Sequence, residues 1–264
     1  MAYLGGTLMN PDWLHSALAM RRIHLFLSVI VLATMVRQFF LGNFEGILMC
    51  LLTLVLFAVP TFIRRHTQID LPILLEVLVL LFIFAAEILG EIHNFYGTFA
   101  YWDVMLHVIN GFLAAAIGLS LVEILNQKDL FHADLSPLLI VLLAFTFSMT
   151  IGVLWEFFEF TMDQWFNLDM QKDTIVHTIR SVALNPSGAN HPVTITHVTG
   201  TTLDVRGKAV GLPVNGYLDL GLVDTMKDLM VNFVGAVVFS VFGWLYLHNR
   251  QKWRFAGQFI PRRR

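Results

Sequence analysis

Six stretches of the chain stay apolar for about the 20 residues that a helix needs to cross the hydrocarbon core of a bilayer: 23–41, 45–63, 71–89, 102–125, 137–160 and 224–247. Hardly any of them carries a polar face, so as helices of a water-soluble domain they would leave apolar surface in water. Several open or close on interfacial aromatics, among them Trp102, Trp155, Trp165 and Trp244, as expected at a lipid–water boundary. Of 264 residues only 14% are charged, where a soluble domain has about a quarter. That deficit comes with 56% hydrophobic residues and excludes a disordered chain. A net charge of −2 lacks the basic footprint of a nucleic-acid binder. The expected fold class is an all-α polytopic membrane protein of about six transmembrane helices. A small extracytoplasmic loop or β-hairpin insertion separates helices five and six.

The first run is too long for a cleavable signal peptide, and no small-residue cleavage site follows it before Arg37 and Phe39. It reads as a retained signal anchor. Cys50 is the single cysteine, so no disulfide can form within the chain. Lys and Arg in short connections set the orientation. Arg21 and Arg22 precede the first span, Arg64 and Arg65 follow the second, and Lys128 follows the fourth. After the sixth come Arg250, Lys252, Arg254, Arg262, Arg263 and Arg264, whereas in the short connections of the opposite face Arg37 stands alone, and the long fifth loop with Lys172, Arg180, Arg206 and Lys208 counts for little. Both termini are therefore expected in the cytoplasm of a multi-pass cell-membrane protein. The chain divides into a cytoplasmic segment (1–22), five spans (23–163), an extracytoplasmic cap (164–223), the sixth span (224–247) and a basic cytoplasmic tail (248–264).

Within the cap, residues 170–184 have an apolar rhythm near 3.6, which predicts a short amphipathic helix. Asn185-Pro186-Ser187-Gly188 breaks the chain, and 191–198 with 201–205 alternate around Gly200, which predicts a hairpin. The cap is either a solvated loop or a lid over what the spans hold.

Ionisable groups inside spans cost roughly 2.5–3.5 kcal/mol each at a helix centre, so each needs a reason. Here they recur at helical spacing. The third span ends with Glu87 and Glu91; the fourth begins with Asp103 and His107 on one face. The fifth ends with Glu156, Glu159 and Asp163, and the sixth begins with Asp224, Asp228 and Asn232. Under the expected topology all of these reach one layer in the outer leaflet. A histidine with several carboxylates on facing helices is the ligand set that metal sites in bundle cores use. The bland alternative is a hydrogen-bonded cluster that fixes helix register, with acids complementing helix N-termini. That alternative suits Asp103 and Asp224 but not Glu156 and Glu159, which lie at a helix C-terminus. His24, Glu76 and Glu123 fall near cytoplasmic ends and read as interfacial or snorkelling groups. The chain has no P-loop, GxGxxG, HExxH or GxSxG pattern.

The three motifs Trp102-Asp103-x3-His107-x3-Gly111-Phe112, Trp155-Glu156-x2-Glu159 and Asp224-x3-Asp228-x3-Asn232-x2-Gly235 resemble those of the YjdF-like family of uncharacterised bacterial membrane-spanning proteins. More distantly they are similar to the VanZ-like family, whose order is Asp-x3-His, Glu-x2-Gln and Asp-x3-Asn-x2-Gly. Glu159 stands where that pattern has Gln, and the outer loop is longer. The resemblance implies a polytopic helical fold and a functional unit at these positions. It implies no reaction.

Three functions follow. The first is a metal-dependent hydrolase or transferase acting on a membrane lipid or lipid-linked envelope substrate. Its divalent ion (Mg²⁺, Mn²⁺ or Zn²⁺) would be held by Asp103, His107, Glu156, Asp224 and Asp228, with Glu159 as general base and Asn232, Asp163 and Glu87 toward the substrate. The second is a cation- or proton-coupled transporter, and the third a non-catalytic binder of lipid or peptide. No nucleic-acid partner is expected, and oligomeric state carries no signal in the sequence.

Overall fold

The protein is described by a computed structural model covering residues 11–66, 69–126, 135–260 and 262–263. Lys128 and Arg264, counted above among the basic residues, lie outside the described residues. Six helices are long and apolar enough to cross a membrane, and all six match the sequence expectation. They are α1 (Pro11–Phe40), α2 (Phe44–His66), α3 (Ile73–Ile83) with its continuation, α5 (Trp102–Asn126), α6 (Pro137–Phe166) and α7 (Leu222–His248). A one-turn α4 (Phe95–Thr98) precedes α5. The α6 helix runs past the expected end at 160 to Phe166, because its last turns are amphipathic rather than wholly apolar. The chain forms two compact units, Met1–Val153 with Leu229–Arg264, and Leu154–Asp228.

In the first unit, α1 buries Met20, Leu27, Val31 and Gln38, a spacing that keeps one stripe inward. Leu25, Phe26, Val29, Val36 and Phe39 are exposed, the inverse of a soluble helix and the surface that lipid covers. Gly42, at φ 68°, turns the chain into α2. Asn43 fastens that turn, donating from Nδ2 to Gln38 Oε1 at 3.1 Å and accepting from Gly46 N–H at 3.1 Å. Pro60 sits buried inside α2, where it has no N–H to give the preceding turn. His24 of α1 lies with Nε2 3.0 Å from the Phe57 carbonyl of that turn. Because the carbonyl only accepts, Nε2 carries the proton. His24 is thus an interhelical hydrogen-bond donor rather than a snorkelling group.

The third span changes helix type. From Phe84 to Ile92 it is a π-helix, with Glu87, Gly90 and Glu91 in the wide turns. Tyr96 packs against Gly90, where a Cβ would stand 2.4 Å from its ring. Glu76 is buried at 3% exposure and forms an ion pair with Arg64, and Glu123 pairs with Arg250. Both acids expected to snorkel are therefore held by arginines.

The closest helix approach in this unit is between α5 and α7. A Cβ on Gly111 would lie 2.0 Å from the Asn232 carbonyl oxygen, and one on Gly235 would lie 2.0 Å from that of Val108. Each glycine thus opens the slot that the other helix's backbone fills, as small residues do where membrane helices meet. Ala115, Leu119, Ala144, Phe239 and Tyr246 extend this contact as a core. The segment after α7 closes over it, with Phe259 and Ile260 buried and Phe112 edge-on to both Phe239 and Phe259. Strand β1 (Ile69–Asp70) pairs antiparallel with β8 (Arg262–Arg263), so the C-terminal segment is anchored to the α2–α3 connection.

The second unit holds the ends of α6 and α7 and an insertion of short antiparallel ladders. β2 (Thr174–Val176) pairs with β7 (Tyr217–Asp219), β3 (Thr178–Ser181) with β4 (Val193–Thr196), and β5 (Thr202–Val205) with β6 (Lys208–Gly211). This corrects the helix expected over 170–184. That segment forms β2, β3 and a 3-10 turn at Val182–Leu184, since its β-branched residues Thr174, Ile175, Val176, Thr178 and Ile179 suit a pleated ladder. The expected hairpin around Gly200 is also redistributed. Residues 193–196 pair backward with β3, while 202–205 pair forward across Arg206-Gly207. Those two residues have φ of 54° and 80°, the two-residue turn that matches strand twist, and Asp204 Oδ1 accepts from Gly207 N–H at 2.7 Å.

The glycine slots give the first test. Gly111→Ala and Gly235→Ala each push a methyl into backbone that cannot move aside. Each should cost about 1–3 kcal/mol and lower the thermal midpoint of the detergent-purified protein. Gly211→Ala, at an exposed strand position where a Cβ meets nothing within 4 Å, serves as the comparison and should cost less.

Candidate functional site

The start of α5 is built by aromatic packing. Phe95 of α4 stacks edge-on to Phe99 and to Trp102, with ring centroids 4.8 and 4.9 Å apart, and this seats the first turn of α5. The indole Nε1 of Trp102 is buried and has no hydrogen-bond partner among the described residues. Asp103 and His107 then follow one turn apart, with His107 Nε2 3.4 Å from Asp103 Oδ1 and the imidazole 8% exposed. Asp103 is half-buried and His107, one turn on, is buried.

One turn deeper, Gly111 meets α7 and the polar groups become fully engaged. Asn232 is completely buried, its Oδ1 accepting from Asn110 Nδ2 at 2.9 Å and its Nδ2 3.7 Å from the sulfur of Met149. Gly152 makes room for that amide, since a Cβ there would lie 2.8 Å from Asn232 Nδ2. Ser148 Oγ donates to the Gly111 carbonyl at 2.8 Å. Asn110 and Ser148 were not singled out by sequence. Asn110 had a usable signal, a lone amide seven residues after Asp103 and so on nearly the same helical face.

Glu87, in the π-helix, is 2% exposed, and its Oε2 has no hydrogen-bond partner among the described residues. A buried carboxylate oxygen left in that state is costly, which marks the position.

In the second unit, α6 carries Glu156 and Glu159, at 4% and 9% exposure. Trp155 Nε1 donates to Glu159 Oε1 at 2.8 Å, one turn apart on α6. Asp163 closes the helix, accepting from Met170 N–H at 2.7 Å and Gln171 N–H at 2.9 Å with its two oxygens. Asp224 accepts from Lys172 N–H at 2.7 Å, and Gln171 Nε2 donates to Thr225 Oγ1 at 2.6 Å. Asp163 and Asp224 thus clamp residues 170–172 from two sides, a partnership that the sequence did not foretell. Asp228, one turn past Asp224 on α7, is 3% exposed. The acids therefore divide. Asp163 and Asp224 engage backbone N–H groups, Glu159 accepts from a side chain, and Glu87, Glu156 and Asp228 are likewise buried in apolar helices.

Comparison with known proteins places the chain. The family profile described as "Predicted membrane protein (DUF2238)" matches residues 23–249. The chain belongs to that family. An uncharacterized protein of Thermotoga maritima is 30% identical over 105 residues, which is 40% of this chain and 52% of that protein. The chain thus spans about half the length of this relative. No solved structure matches.

Asp173, in the loop entering β2, gives a test of the insertion's electrostatics. Loss of hydration raises its pKa first, and Asp169, Asp219 and Asp163 raise it further against the opposing charge of Lys172. A carboxyl with a raised folded-state pKa contributes stability while protonated, and loses it as pH rises through that value. Asp173→Asn should therefore raise the thermal midpoint at pH ~7 and leave it unchanged at pH ~3, below the ordinary aspartate range. Thermal unfolding of the purified protein at both pH values reads this out.

Proposed function

We propose that this protein is a metal-dependent membrane enzyme, a hydrolase or transferase, acting on a lipid or lipid-linked substrate. In this reading Asp103, His107 and Asp228 supply the core ligands for a divalent cation, each residue offering one ligand atom. The observation that carries it is the glycine lock between α5 and α7. Asp103 and His107 precede Gly111 on α5, Asp228 precedes Asn232 on α7, and Gly111 seats against the Asn232 backbone. An imidazole with carboxylates suits Mn²⁺ or Zn²⁺ and admits Mg²⁺.

Electrostatics supports a cation. Two carboxylates about 5 Å apart repel by about 3 kcal/mol at an effective dielectric of 20. Carboxylates brought that close in apolar helices are stabilised by a cation between them. A bound divalent ion would supply Lewis acidity toward a phosphoryl or carbonyl oxygen. The chain's own groups then take distinct parts. Glu156 and Asp224 are proposed as further ligands, and Glu159, which accepts from Trp155, as the general base. Asp163 keeps the end of α6 closed, while Glu87 offers its open oxygen to a hydroxyl or amine of the substrate. Asn232 positions the ligand-bearing turns through Asn110. The YjdF-like and VanZ-like resemblances support treating these motifs as one unit. A carrier would need exchangeable acids at the other end of the spans, where Glu76 and Glu123 are instead held by Arg64 and Arg250.

Elemental analysis of the purified, monodisperse protein tests the proposal. Wild type incubated with Mg²⁺, Mn²⁺ or Zn²⁺ and desalted should retain roughly one ion per chain. His107→Ala and Asp228→Asn should each reduce that content at least about tenfold, while Arg64→Lys leaves it unchanged. A folded wild type that retains none of the three ions overturns the reading.

A further inference from the structure

The unused charge of this protein lies at the other end of its spans. Four contacts within the first unit tie that end together. His24 of α1 reaches the Phe57 carbonyl of α2, Arg64 of α2 pairs with Glu76 of α3, Arg250 after α7 pairs with Glu123 of α5, and β1 pairs with β8. Among the described residues, Glu76 and Glu123 each already face an arginine. Arg21, Arg22, Arg65, Lys252 and Arg254 are exposed. The β1–β8 pairing holds the C-terminal segment against the α2–α3 connection.

The C-terminal segment that carries much of this charge is fixed rather than trailing. Ala256, Phe259 and Ile260 are 3%, 6% and 2% exposed within the core. Asn249 Oδ1 accepts from Lys252 N–H at 3.0 Å and holds the turn that leads away from α7. Exposed Trp244 and half-buried Trp253 flank that turn, which is the composition of a headgroup-level belt. Exposed basic residues beside interfacial tryptophans fit phosphate-bearing anions in the membrane plane.

We propose that this basic end is a docking surface for anionic phospholipid headgroups, with Arg65, Lys252 and Arg254 at its centre. The proposal is independent of the cation site and of which way the protein faces. It is tested on the full-length protein in neutral detergent, titrated with phosphatidylglycerol or phosphatidylcholine, with bound lipid counted by native mass spectrometry. Wild type should prefer phosphatidylglycerol. The triple variant Arg65→Gln, Lys252→Gln, Arg254→Gln should lose at least about tenfold of that preference, since each basic residue near a membrane surface contributes about 1 kcal/mol. The charge-keeping triple variant Arg65→Lys, Lys252→Arg, Arg254→Lys should retain it. Raising salt on wild type from about 0.05 to about 0.5 M should produce a similar loss, which keeps the test independent of any folding defect. Equal binding of both lipids by wild type would overturn the proposal. So would an unchanged preference in a folded triple glutamine variant. Displacement of the lipid by inorganic phosphate at equal concentration would assign the surface to free phosphate instead.

Discussion

The contact on which the candidate site depends is a backbone-to-backbone approach. Gly111 and Gly235 let α5 and α7 meet with no side chain between them, each filling the slot left by the other. In a bilayer the hydrophobic effect offers little for holding helices together, because lipid tails are as apolar as leucine. Packing at this range and the buried amide pair Asn110–Asn232 replace it. Both fix rotation as well as distance. Any polar group one turn away inherits a defined direction, which is how Asp103 and His107 come to sit at one place rather than anywhere on a greasy helix.

Charge is handled differently at the two ends of the spans. At one end, among the described residues, Glu76 and Glu123 face arginines, while Arg65, Lys252 and Arg254 are exposed. At the start of α5, His107 instead stands beside Asp103. The cost of burying a charge is met in the first case by an opposite charge within the protein. In the second the neighbour is an imidazole one turn along the same helix.

Much of the fold was legible in the sequence because a membrane span is recognised by length alone. All six spans appear without knowing any contact, and the break at Asn185–Gly188 appears too, where Asn185 Oδ1 accepts from Ser187 N–H. The insertion was legible as β-rich but not in its pairing. Residues 170–184 have an apolar rhythm that fits a helix, and only their partners β4 and β7 show that β-branching decides. The ion pairs of Glu76 and Glu123 join residues 12 and 127 positions apart, a tertiary fact that no local window contains. The site was legible as a set of helical spacings. Their division into groups that clamp loop backbone, such as Asp163, and groups left in apolar surroundings, such as Glu87, needed hydrogen bonds to be seen.

The wide turns from Phe84 to Ile92 bear on the membrane itself. An α-helix of 20 residues climbs about 30 Å, just the thickness of the hydrocarbon core. The third span has 20 residues, but nine of them wind in a π-helix, where each turn holds more residues for the same climb. That span is therefore shorter than the layer it crosses. A bilayer meets such a deficit by dimpling inward around the short helix, or by letting flanking polar groups sink toward its centre. Either response brings headgroups and water closer to Glu87 than the residue count along the chain implies.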